Sequence, residues 1–237
     1  MLVKWSYLLI KRDLILNFKY NNSILLSLFF FFLISLLFPF SLGQNTSILK
    51  IIGFNILIVC LLLTSFLSFN NIWKNDIHDG SLELYLFSSL TLEFFFLLKN
   101  MIHWILYESI LLCAIPILSI FLQIPLYNII VIFPLLIFLT IILTQLGSII
   151  EIITVEIKQK NFIITLLIIP ILLPSLIFFT QSYIDITSDT LINTISYYYT
   201  LYNLFSIKST KILIIITLII TTSIPWISTI ILSSFYK

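Results

Sequence analysis

Six apolar runs, near residues 22–42, 49–70, 101–122, 128–150, 162–182 and 211–234, each approach the roughly 20 residues that a helix needs to cross a hydrocarbon core about 30 Å thick. Lipid offers no partner for a free N–H or C=O, so such runs cross the membrane as helices. Only 9% of the side chains are charged and 60% are hydrophobic, against about a quarter charged in soluble domains. The predicted fold is an all-α polytopic membrane protein with six transmembrane helices. No internal repeat or Pro/Gly/Ser-rich linker divides it, so a single membrane domain over 1–237 is expected.

Charge sets the orientation. Counting loops by the positive-inside rule places nine of the 12 Lys and Arg residues on the side of the N-terminus, leaving Lys50, Lys208 and Lys211 opposite. Both termini are therefore expected inside. Residues 1–21 carry Lys4, Lys11, Arg12 and Lys19 at spacings of seven and eight, on one face of a helix. They read as an interfacial amphipathic helix, or as a juxtamembrane flank of the first span. No small-residue cleavage site follows.

Several function classes fall away. A net charge of +2, with no basic run interleaved with aromatics, gives no footprint for nucleic acid. Four glycines cannot build a phosphate-binding loop, so any ATP chemistry belongs to a separate protein. Cys60 and Cys113 both lie in apolar runs and indicate neither a disulfide framework nor a metal site. Without Cys-x-x-Cys-His the chain attaches no haem covalently. The intramembrane acids are too few for a proton relay, and the chain is not read as an enzyme.

The polar stretch Trp73–Phe87, within an inner loop over 71–100, concentrates Asp76, Asp79 and Glu83 around Gly80 and is followed by Leu82, Leu84 and Leu86. It reads as a turn feeding a short amphipathic helix, with an Asp or Ser81 available to cap the free N–H groups. A second long loop, 183–210 on the opposite side, has Asp185, Asp189 and Tyr197–Tyr202. It reads as an interfacial or re-entrant helix, or as a plain aromatic belt. Within the spans, Glu108 is the strongest functional candidate because a carboxyl is costly in lipid. Pro116 in the third run, and Pro170 with Pro174 in the fifth, are expected to kink their helices as hinges or as tolerated packing.

The order Asp76-x-x-Asp79-Gly80-Ser81-Leu82-Glu83, then Lys99 and His103-Trp104, resembles the cytochrome c maturation protein B (CcmB) family. Leu37-Phe-Pro-Phe-Ser-Leu-Gly43 and Pro170-Ile-Leu-Leu-Pro174 are similar to two further elements of that family. The resemblance implies a permease subunit of an ATP-binding-cassette complex, with haem as its substrate in c-type cytochrome biogenesis. It further implies a separate ATPase subunit docked at Asp76, Asp79, Gly80, Ser81, Leu82, Glu83 and Leu86, other cytochrome c maturation membrane proteins as partners, and a homodimer. His103, Trp104 and Glu108 become candidates for contact with haem or a transport path, although a lone histidine at a helix end, as His103 is, is more often a hydrogen-bonded interfacial residue. Ser88-Ser89-Leu90 stands where the family has a proline, so the exit of the coupling helix differs. Two other functions fit the same residues: a coupling scaffold that transmits ATP hydrolysis to release a haem-loaded chaperone, and a lipid or glycan exporter of the same superfamily. The AT-rich codon signature behind abundant Ile, Phe, Asn and Lys points to the mitochondrial inner membrane, with a bacterial inner membrane as the alternative.

Overall fold

The computed structural model describes residues 10–13, 15, 23–43, 46–69, 72, 73, 76, 79–81, 91–154, 170, 172–185 and 208–235. Among these the secondary structure is helical: α1 Ser23–Leu42, α2 Thr46–Phe69, α3 Leu92–Phe121, α4 Leu126–Thr154, α5 over 172–185 and α6 Lys208–Phe235. Five of them, all but α5, are long and apolar enough to cross a membrane. Expected spans one, two, four and six thus lie where the apolar runs place them, within a few residues. The fifth falls partly outside the described residues, as do Leu82, Glu83, Leu86 and the tyrosine-rich stretch 197–202.

The third span begins at Leu92, nine residues before the expected 101. Lys99 and Asn100 made that stretch look like a water-facing loop. In the structure Asn100 is buried and donates to Gln145 Oε1 on α4 at 2.8 Å, and the Lys99 ammonium is ion-paired, so neither group ends the helix. The five residues Trp104–Glu108 form a π turn inside α3.

Helices α2 and α4 hold the centre. Leu57, Cys60, Leu61, Ile132, Leu135, Leu139 and Leu143 are wholly buried. Helix α1 packs on α2 and the C-terminal half of α3, while α6 packs on α4 and the N-terminal half of α3. From α1 only Ser27, Phe31 and Ser35, at four-residue spacing, are buried. Its other faces expose Leu25, Phe29, Leu37 and Phe40, the surface a helix presents to lipid. Several buried hydroxyls are satisfied within their own helix. Thr64 and Ser65 donate to carbonyls four residues back, and Ser68, Ser148 and Ser175 to carbonyls three back.

The α3–α4 connection is a Schellman turn. Gln123, at φ 57°, takes the left-handed position, its N–H bonding Ile120 O at 3.2 Å while Ile124 N–H bonds Ser119 O at 2.9 Å. Pro125 follows, and its carbonyl caps α4. Prolines inside helices are more widespread than the expected Pro116, Pro170 and Pro174: Pro39, Pro134 and Pro225 also sit within α1, α4 and α6. Pro170 and Pro174 both lie in helical backbone.

Gly147 marks where α4 meets the end of α2. A Cβ there would lie 2.5, 2.6 and 2.7 Å from three ring atoms of the buried Phe69. Gly147→Ala is therefore expected to cost about 1–3 kcal/mol by overpacking. The thermal midpoint of the detergent-solubilised protein should fall, and Phe69→Leu should restore much of it by making room for the methyl group.

Candidate functional site

Helix α2 stops at Phe69, and the chain that follows is pinned from below. Glu151 on α4, wholly buried, accepts the backbone N–H of both Ile72 (3.1 Å) and Trp73 (3.0 Å) on Oε2. A buried carboxylate is tolerated where such donors meet it. Trp73 is buried face to face with Phe96 (5.3 Å between centroids) and edge-on to Phe95 (5.9 Å), so the loop leaves the membrane domain in a fixed direction.

Three residues on, Asp76 enters a four-charge cluster. Arg12 Nη2 lies 2.6 Å from Asp76 Oδ1 and 2.8 Å from Asp13 Oδ1. Lys99 Nζ lies 2.5 Å from Asp76 Oδ2 and 2.8 Å from Asp13 Oδ2. Each cation thus bridges both acids, joining three segments that are remote in sequence. The acids are only 4% and 6% exposed at the side chain, so removing one cation would leave a poorly solvated charge behind. Ser81 Oγ donates to the Asp76 carboxylate at 3.1 Å and to its carbonyl at 3.2 Å, folding the loop back over the cluster. Asp79 is exposed at the turn, and Gly80 takes φ +66°.

The expected docking residues therefore divide. Asp76 is sequestered by the chain's own cations, whereas Asp79 is presented outward and Gly80 and Ser81 are half-buried beside it. Arg12 departs from the basic face expected of the N-terminal segment and turns into the cluster, while neighbouring Lys11 is exposed. Sequence reading missed the roles of Arg12, Asp13 and Glu151. The available signals were a lone acid beside the only arginine, and an acid at the inner end of a span.

Burial alone would raise the Asp76 carboxyl, but the Lys99 ammonium and the Arg12 guanidinium outweigh it and hold the group below the ordinary carboxylate range. A depressed folded value contributes stability above the unfolded value of about 4 and loses it as pH falls through the folded one. Hydrogen-exchange protection of residues 10–13, corrected for intrinsic rates, is thus expected to hold from neutrality to about pH 5 and to fall below about pH 4. Asp76→Asn should remove that acid-side step.

Deeper along α3, His103 is buried. Its Nε2 lies 3.3 Å from Ser68 O on α2, and its ring stacks on Tyr107 at 4.5 Å. Tyr107 in turn shares a 2.5 Å hydrogen bond with Ser23 of α1. Glu108 is wholly buried; Oε2 accepts from Ser65 of α2 at 3.1 Å, and Oε1 has no hydrogen-bond partner among the described residues. His103 and Glu108 would diverge by about 140° on an α-helix. The wider π turn brings both to bear on α2, at serines one turn apart. Trp104 points the other way, donating to Thr140 of α4 at 3.0 Å. The structure thus joins His103 and Glu108 on one helix interface and sets Trp104 apart. A cleft of about 20 Å³, lined by Asp13, Ile72, Lys99, Ile102, His103, Leu106 and Tyr107, lies beside His103. It has room for about one water, far short of a haem.

Chemically, this end of the molecule combines an outward turn, a buried ionic joint beneath it and a polar seam leading into the spans. The model of the family described as CcmB protein matches residues 4–225. The chain is 34% identical to a protein named heme exporter protein B from Haemophilus influenzae over 172 residues, 72% of this chain and 77% of that one. It is 32% identical to the protein of that name from Rhodobacter capsulatus over 170 residues (72% and 78%), and 29% identical to that from Pseudomonas aeruginosa over 170 residues (72% and 76%). With a match that runs from the N-terminal segment through the described spans into α6, the chain belongs to the CcmB family.

Proposed function

We propose that this chain is the membrane permease subunit of an ATP-binding-cassette complex that exports or delivers haem for c-type cytochrome biogenesis. The observation that carries the reading is family membership over 4–225, among relatives named heme exporter protein B. The site supports it. The Asp79–Gly80 turn stands outward on a base locked by Glu151 and the four-charge cluster, as a lever driven by a separate ATPase requires. With only four glycines the chain has no phosphate-binding loop of its own. Asp79 faces the partner, and Leu82, Glu83 and Leu86, which lie outside the described residues, are the further expected contacts. Both termini and this loop lie on the ATPase side of the inner membrane, and two copies of one six-span domain make the full permease. A mitochondrial membrane suits the composition, and a bacterial inner membrane suits the source of the relatives.

A second reading is favoured by one observation. The cleft beside His103, where a haem-contacting histidine would act, holds about 20 Å³. A scaffold that passes ATP-driven movement to a neighbouring haem-handling protein needs no larger space. Gentle solubilisation and affinity isolation test both readings, with partners identified and the haem absorption spectrum recorded. An ATPase recovered with haem-handling proteins is the expected result. An ATPase without them would move the assignment to lipid or glycan export, and recovery of neither would overturn it. Haem bound to the isolated homodimer would separate transport from scaffold.

A further inference from the structure

The four-charge cluster joins parts that the docking loop alone does not explain. Asp76 lies three residues from the outward turn, Lys99 one helical turn before His103 on α3, and Arg12 and Asp13 on the N-terminal segment. Because Arg12 and Lys99 each bridge both acids, displacing any one member breaks two pairs and leaves an uncompensated charge in a site where the acids are almost wholly buried. The three segments are therefore held as one body at the inner face. Immediately beyond Lys99 and His103, α3 changes to the π turn Trp104–Glu108, a kind of insertion at which helices kink and which recurs at functional sites.

We propose that the Arg12–Asp13–Lys99–Asp76 cluster is the strut that carries ATPase-driven movement of the Asp79–Gly80 turn into the base of α3, and that the N-terminal segment belongs to this transmission instead of merely anchoring the chain. A push on the turn moves Asp76 and, through it, Lys99. The inner end of α3 shifts as a rigid piece, the π turn takes up the strain, and the His103 and Glu108 contacts to Ser68 and Ser65 of α2 are where the displacement reaches the spans. Arg12, Asp13 and Lys99 are positioning residues in this scheme.

The inference rests on the coupling reading above, so the test keeps the two apart. Asp13→Asn, Lys99→Met, Lys99→Arg and Gly80→Val would each be expressed in place of the wild-type chain in its native complex. Membrane abundance, co-purified ATPase with its hydrolysis rate, and holocytochrome c yield would be measured for each. Asp13→Asn and Lys99→Met are expected to retain ATPase and hydrolysis within about twofold while holocytochrome falls about tenfold, the change that about 1.4 kcal/mol of lost coupling produces. Lys99→Arg keeps the charge and should stay close to wild type. The double variant Asp13→Asn/Lys99→Met should be no worse than the poorer single one, because both break the same joint. Normal holocytochrome in Asp13→Asn and Lys99→Met, alongside its loss in Gly80→Val, would overturn the strut and leave the coupling loop standing. Loss that merely tracks lower abundance, unrelieved in Lys99→Arg, would overturn it too by reducing the cluster to a folding element. Normal holocytochrome in all variants, Gly80→Val included, would overturn the coupling reading itself.

Discussion

Glu151→Leu is expected to lower the stability of the membrane domain by about 3–5 kcal/mol, a large share of the roughly 5–15 kcal/mol that holds a typical domain folded. The side chain is wholly buried and one oxygen accepts two backbone N–H groups, from Ile72 and Trp73. Leucine fills similar space but accepts nothing, leaving both donors buried and unsatisfied at about 1–3 kcal/mol each. Trp73, stacked on Phe96, could escape that penalty only by abandoning its packing. Glu151→Gln keeps a carbonyl oxygen in place and should cost about 1 kcal/mol, the charge-assisted part of the two bonds. The thermal midpoint in detergent and the exchange rates of the Ile72 and Trp73 amides check this. Rapid exchange of those two amides in Glu151→Leu but not in Glu151→Gln is the expected pattern, and equal protection in both would remove the capping role.

The distribution of what was legible follows from the range of the forces involved. Apolar runs announce spans because transfer into lipid is a property of about 20 consecutive residues. The α1, α2, α4 and α6 helices therefore lie where the runs place them. The start of α3 does not, because a lysine counts as a loop signal in any local reading. Its charge is neutralised by Asp13 and Asp76, 86 residues upstream and 23 upstream respectively as counted from Lys99. Pairings across such distances leave no periodicity to read.

The turn at Asp79–Gly80 was legible for the opposite reason. An Asp-Gly pair in a polar stretch is a local instruction, and the left-handed φ at Gly80 follows it. Asp76 belongs to the same stretch and looked like the same kind of residue. Only the fold shows it facing inward to Arg12 and Lys99, while Asp79 faces outward. The π turn is hidden again, since Trp104–Glu108 carries no helix breaker and nothing in its side chains calls for an extra residue in the turn. Its consequence, His103 and Glu108 both turned toward α2, could not be foreseen from α-helical spacing.

Gly80→Val is expected to lower holocytochrome c yield by about tenfold or more with normal membrane insertion, while Gly80→Asn stays close to wild type. A Cβ at Gly80 would meet nothing within 4 Å, so neither change produces a clash and the contrast isolates backbone conformation. At φ +66° a β-branched residue is strained by about 1–2 kcal/mol, whereas asparagine enters this region readily. Valine relieves the strain by leaving the left-handed region. That redirects the chain between the exposed Asp79 and Ser81, which is tied to Asp76, and under the proposed coupling it displaces the contact with the ATPase. Asp79→Lys attacks the same contact by charge without touching the fold, since Asp79 is exposed, and should release the ATPase from the isolated complex. Yields of holocytochrome, set against membrane abundance of each variant, check the set. If Gly80→Val and Asp79→Lys accumulate normally and mature cytochrome at wild-type levels, the turn is an ordinary solvated loop and the drive enters the spans elsewhere.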